Sequence, residues 1–250
     1  MRHFNYLLIC FALALCLSKH AVGQTGEEPM ISARFATLLW LSGTPKGSDL
    51  REQRPELYYR NGDDYERLSY QVNQIGAVQE YRGSPQVSLY RQDKSPEGKL
   101  VYVPISTSQV LPAGTRKFML FIQPTDAAGG VYSVAVNVSS DYIEKGSMLL
   151  LNLSQHNMVI QVGEEREGLE PGHTRFFKPP FDEGQADIPV KVAVFDQKKN
   201  EWKRAYSSMT RLLSSRPYMG IFYLSGNRPG AYRFRLFTQL YLLDEPIDAD

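Results

Sequence analysis

Apolar residues along this chain recur in short alternating runs that end at Gly, Pro, Asn or Asp, the pattern of β-strands joined by turns. Phe35-Ala-Thr-Leu-Leu-Trp-Leu41 is apolar nearly throughout and reads as a central strand. Glu56–Tyr59 runs into Asn61-Gly62, a hairpin signal in which both residues tolerate positive φ. Further strands are expected at 65–72, 87–91, 99–105, 118–122 and 131–138. The second half repeats this vocabulary at 148–153, 158–162, 174–177, 190–196, 202–209, 218–224 and 231–243. No segment sustains a 3.6-residue apolar period, and only Ser207–Ser215 is expected to make a brief helical turn. Short strands at spacings of roughly 8–12 residues argue for sandwiches or barrels, not for a βαβ sheet.

A long internal period accompanies the pattern. Leu39-Trp-Leu-Ser42 precedes Leu151-Asn-Leu-Ser154 by 112 residues, and Tyr90-Arg-Gln-Asp-Lys94 precedes Phe195-Asp-Gln-Lys-Lys199 by 105. Phe118–Ile122 precedes Met219–Tyr223 by 101, and Gly130–Val134 precedes Gly230–Phe234 by 100. The order is kept and the offset drifts downward, as accumulated changes in loop length would produce. The expected fold is therefore all-β: two tandem immunoglobulin-like antiparallel β-sandwich domains, at 24–145 and 146–250. The polar break Glu144-Lys145-Gly146 marks the boundary, and one large sandwich is the alternative.

The amino terminus has a different texture. Arg2 and His3 precede an apolar run, Tyr6–Leu17, that is too short to span a bilayer. Ala21-Val22-Gly23 follows with small residues at both specificity positions of a signal-peptidase site. A signal peptide at 1–23 and export to the periplasm or extracellular space are expected, leaving 227 of the 250 residues. Both cysteines, Cys10 and Cys16, leave with it, so the mature chain has no disulfide or thiolate chemistry. A lipid anchor on Cys16 would place the bulky Leu15 where a small residue is expected. Disulfide-free export leans towards a bacterial protein. Asn137-Val-Ser139 and Asn152-Leu-Ser154 match the glycosylation sequon, which matters only in a eukaryotic host.

Charge removes one partner class. The full chain carries 28 Lys+Arg against 27 Asp+Glu, and losing Arg2 and Lys19 makes it 26 against 27. That balance gives no basic footprint for nucleic acid. No mature stretch reaches the 18 apolar residues of a membrane span.

Specific chemistry is sparse. His156 and His173 sit in polar turns without a metal-ligand spacing. The nucleophile elbow, the phosphate-binding loop and the dinucleotide fingerprint are all absent. Gly62-Asp63-Asp64 and Asp182-Glu183-Gly184 lack the ligand periodicity of a calcium loop and read as turns. A paired-carboxylate glycosidase could draw on Glu56, Asp63, Asp64, Glu66 or Glu80, and nothing in the spacing selects two of them. No catalytic residue, metal or cofactor is expected. Pro179-Pro180-Phe181 reads as a stiff apolar-tipped loop that contacts a partner or, as the plainer expectation, the other domain.

Tyrosines are the surplus. Tyr58, Tyr59, Tyr65, Tyr70, Tyr81 and Tyr90 crowd into the first half, where strand propensity accounts for most of them. Neighbours in a strand point to opposite faces, so Tyr58 and Tyr59 cannot both enter the core. That pair is the candidate ligand contact.

The Leu-Trp-Leu-Ser and Leu-Asn-Leu-Ser strand starts occur with the turns Leu111-Pro-Ala-Gly114 and Leu169-Glu-Pro-Gly172. In this the chain resembles exported bacterial tandem β-sandwich proteins of no assigned activity. The resemblance spans most of the mature chain; it implies the fold and supplies no site residues. The expected function is that of a non-catalytic structural or protein-binding module at the bacterial envelope. A carbohydrate-binding module is the alternative, and a glycoside hydrolase a more distant one.

Overall fold

The computed structural model describes residues 30–39, 55–125, 130–181, 184–224 and 232–238. The expected signal peptide, both cysteines, Trp40, Leu41, Asp182 and Glu183 lie outside the described residues. Every regular element among the described residues is a strand. The first half holds β1 (Ile31–Leu39), β2 (Tyr58–Asn61), β3 (Asp64–Arg67), β4 (Gln71–Val72), β5 (Val78–Gly83), β6 (Gln86–Lys94), β7 (Leu100–Val110), β8 (Lys117–Pro124) and β9 (Val131–Asn137). The second holds β10 (Met148–Asn152), β11 (Met158–Val162), β12 (Glu165–Leu169), β13 (Thr174–Phe177), β14 (Gln185–Asp196), β15 (Glu201–Leu213), β16 (Tyr218–Leu224) and β17 (Tyr232–Phe237).

These strands form four sheets. Two outer sheets, β3-β2-β6-β7 and β12-β11-β14-β15, are antiparallel throughout. Two inner sheets, β4-β1-β8-β9 (with β5 also on β1) and β13-β10-β16-β17, are mixed, because β1 runs parallel to β8 and β10 parallel to β16. Apart from the two-residue β4, which has no counterpart among the described residues of the second half, strand order is the same in each half. A central strand opens it, a short hairpin and a strand antiparallel to the first follow, and a long hairpin leads to a closing hairpin beside the opening strand.

Three apolar layers hold the four sheets together. Phe35, Leu39, Leu120 and Ile122 meet Tyr59, Val87 and Leu89 between the first outer and inner sheets. Leu150 and Phe222 meet Ile160, Val190 and Val192 in the equivalent layer of the second half. Between the inner sheets, Ala36, Leu38, Met119 and Phe121 pack on Leu149, Leu151, Met219 and Ile221. The inner strands are thus buried on both faces, which is why Phe118–Ile122 and Met148–Leu151 are apolar without alternation and Phe35–Leu39 is interrupted only by the buried Thr37.

Three of the four spaced matches pair the right strands one residue out of phase. Leu39 and Phe118 face their own sandwich, whereas Leu151 and Met219 face the layer between the halves; Val134 and Phe234 are reversed likewise. A slip of one residue exchanges the two faces of a strand. Only Tyr90 and Phe195 keep the same outward sense, each following a core residue, Leu89 and Val194.

Other expectations change in detail. Ser207–Leu213 continues β15, so no helical turn forms there; its pairing with β14 fixes it as strand. β5 and β12 were not signalled by the apolar pattern. The hairpin turn is Gly62-Asp63, with φ +63° at Gly62 alone, and Asn61 ends the strand. Asn137 and Asn152 make matching buried turns, each side-chain oxygen accepting from the amide and hydroxyl of the serine two residues on. The sequons are thus consumed as structure. Pro179 is buried and Phe181 packs on the second core and against Gly146, so that loop belongs to its own half. Contact across the halves instead includes Tyr142 against Phe176, with ring centroids 4.9 Å apart.

Candidate functional site

Local chemistry at the first hairpin opens a gap in the first outer sheet. β2 pairs with β6 at only two positions, Tyr58 with Tyr90 and Tyr59 with Leu89. Beyond them the hairpin leaves β6 and docks on β5: Gly62 N donates to Arg82 O at 2.6 Å, and Arg82 N donates to Asn61 Oδ1 at 2.7 Å. Asn61 Nδ2 donates in turn to Glu66 Oε1 at 2.7 Å. Beneath the hairpin, the Tyr59 hydroxyl donates to Glu66 Oε2 at 2.6 Å, with Glu80 O at 3.1 Å. Tyr81 folds back over the β5–β6 turn and donates to Ser84 O at 2.7 Å. Gly83 permits this, since a Cβ there would lie 2.8 Å from the phenol oxygen.

The result is a cleft of about 910 Å³ between the hairpin tip and β6. Arg34, Arg82 and Arg116 line it, Asp63, Asp64 and Glu80 bring carboxylates, and Ser88 and Tyr90 contribute from β6. Arg60 bridges to Asp63 at 3.4 Å. The guanidinium groups of Arg82 and Arg116 meet no partner among the described residues. Burial holds the Tyr81 phenol up at about 12. Tyr59 is pushed higher still, by burial first and then by its hydrogen bond to the Glu66 carboxylate.

Tyr90 also belongs to a cluster on the outer face. Tyr65 stacks on Tyr102 at 4.1 Å with planes 5° apart. Tyr65 also meets Tyr90 edge-on at 5.0 Å, and Tyr102 meets Tyr58 edge-on at 5.2 Å. One tyrosine comes from each strand of the sheet, and all four rings remain part-exposed. Such stacked and edge-on contacts hold the four rings together as one amphipathic surface.

Tyr58 therefore lies on the outer face, while Tyr59 is 2% exposed and packs 5.1 Å from Phe35 in the core. Sequence reasoning did not single out Tyr102, Arg82 or Arg116. The alternation of β7 carried a signal for Tyr102; the two arginines carried none. Of the candidate acids, Asp63, Asp64 and Glu80 come together at the cleft. Glu66 is occupied by Tyr59 and Asn61, and Glu56 by Arg67 at 2.7 Å. His173 is exposed beside Pro171 O at 3.0 Å, and the His156 ring lies 6.0 Å from that of Tyr232. No His/Cys/Asp/Glu group suited to a metal ion occurs among the described residues. No helix among them is long and apolar enough to cross a membrane.

No protein-family model matches the chain, and no curated protein matches it in sequence.

Proposed function

We propose that the chain is an exported, non-catalytic binding protein of the bacterial envelope, built of two tandem immunoglobulin-like sandwiches at 24–145 and 146–250. The matching strand order of the halves supports descent from one duplicated unit. The leader at 1–23 supports export to the periplasm or beyond.

The tyrosine cluster carries the binding reading. Tyr58, Tyr65, Tyr90 and Tyr102 present rings with polar tips on a sheet rather than on mobile loops, which lowers the entropy lost when a partner docks. A glycan suits such a surface through contact of sugar faces with the rings, and a protein patch is the alternative occupant. The cleft carboxylates favour binding over hydrolysis. Asp63 is fully solvated and Asp64 and Glu80 are exposed, whereas a glycosidase acid works from a desolvated site.

Benzoylphenylalanine placed at position 102 or at position 202, followed by irradiation in the producing cell, tests this, because benzophenone captures C–H bonds of protein and glycan alike. The expected result is an adduct at 102, none at 202, and mature protein in the envelope fraction. Uncut cytoplasmic protein, or no adduct at 102, would overturn it.

A further inference from the structure

We infer that the tyrosine face and the adjoining cleft form one site for an acidic oligosaccharide, the rings holding sugar faces and the arginines a uronate carboxylate. The inference rests on the reading of that face as the contact surface. Tyr90 joins the two parts, since it lines the cleft and meets Tyr65 at 5.0 Å. A chain of sugars lying on Tyr58, Tyr102 and Tyr65 is thereby led past Tyr90 towards the guanidinium groups.

Charge chemistry selects the ligand class. Arg82 and Arg116 offer donor forks with no partner among the described residues, and such forks match a carboxylate. Asp63, Asp64 and Glu80 in the same cleft can only accept hydrogen bonds when ionised. The ligand must therefore carry many O–H donors and also an anion. An acidic sugar has both. A single-stranded nucleic acid has aromatic faces to stack but places a charge at every nucleotide against three carboxylates, so it fits less well. An acidic peptide lacks the flat, hydroxyl-fringed faces that the rings would hold.

Affinity electrophoresis of the full chain through gels containing polygalacturonate, alginate or hyaluronan reads this directly. The fully methyl-esterified form of each polymer keeps the sugar faces and removes the charge. Retardation is expected by at least one acid polymer, weakened about tenfold by its esterification and by Arg82→Ala/Arg116→Ala. Tyr58→Ala/Tyr102→Ala should abolish it while circular dichroism stays unchanged. If those side chains prove necessary for folding, Tyr58→Phe/Tyr102→Phe keeps the rings and should retain binding. Equal retardation by acid and ester forms would overturn the carboxylate assignment and leave the tyrosine platform standing. Stronger retardation by oligothymidylate or polyglutamate would overturn the sugar assignment. No retardation by any polymer, with cross-linking at position 102 intact, would overturn this inference alone and leave the binding reading with a protein partner.

Discussion

Gly62 and Gly163 carry nearly the same φ, +63° and +62°, at the first position of two-residue turns, yet the hairpins they close dock on different strands. Gly163 N donates to Pro189 O of β14, and β11 pairs with β14 at five positions along its own sheet. Gly62 N donates to β5 instead, and β2 keeps only two pairs with β6. The residue before each turn glycine differs in kind. Val162 is 2% exposed in the second core, whereas Asn61 spends its amide on Arg82 N and Glu66. One apolar side chain closes a sheet; one polar side chain carries a hairpin across to the other sheet and leaves a cleft behind it. A shared strand order therefore fixes the scaffold but not the surface.

The largest expected effect tests whether the halves are separate at all. Phe35 is fully buried, stacked 5.0 Å from Phe118 and edge-on to Tyr59. Phe35→Ala should cost about 3–5 kcal/mol. Because the inner sheets share an apolar layer, denaturation should stay a single transition, with hydrogen exchange rising in both halves together. Two resolved transitions would break that picture.

Asn61→Val imports the residue of the second half and should cost about 1–2 kcal/mol for the lost side-chain hydrogen bonds. Amide exchange should quicken at Gly62 and Arg82 and stay unchanged at Gly163. Unchanged exchange at Gly62 would mean that the turn alone places the hairpin.

Thr37 makes the opposite prediction. Its hydroxyl is buried in β1 with no hydrogen-bond partner among the described residues, while the buried run Met148–Leu151 of β10 is wholly apolar. Thr37→Val should raise stability by about 1 kcal/mol in urea unfolding, and any loss would point to a missed partner.

The smallest effect appears only at high pH. Tyr81 keeps its proton up to about 12 in the folded state and Tyr59 beyond that, against about 10 in the unfolded chain. Their stabilisation is complete below about pH 10 and is lost as pH rises through the folded values. Phe177, on the second strand that pairs antiparallel to an opening strand, has nothing to titrate. Tyr81→Phe should flatten the fall in urea midpoint above about pH 10, and an unaltered slope would move the effect elsewhere.

The sequence made the inner strands legible because burial on both faces leaves an uninterrupted apolar run. Val78-Gln-Glu-Tyr-Arg-Gly83 and Glu165-Arg-Glu-Gly-Leu169 were not legible, since each carries few apolar residues and is strand by virtue of its partner. Face parity was lost in β1, β8, β10 and β16 for a related reason: where both faces of a strand are buried, little in the run marks which side is which. The tyrosine surplus pointed towards the outer face, and alternation limited Tyr58 and Tyr59 to one contact between them. The cleft was out of reach, because Arg34, Arg82 and Arg116 become neighbours only when β1 pairs with β5 and β8, and the hairpin that walls them in docks only afterwards on β5.

The shared layer between the inner sheets also sets a timetable for the nascent chain. The first half is complete once Asn137 has been made, yet Ala36, Leu38, Met119 and Phe121 stay uncovered until β10 and β16 exist. At elongation rates of about 5–20 residues per second, that leaves a sticky surface open for roughly 4–17 s. Such a chain needs a holding factor, or passage across the membrane before folding, to arrive unaggregated.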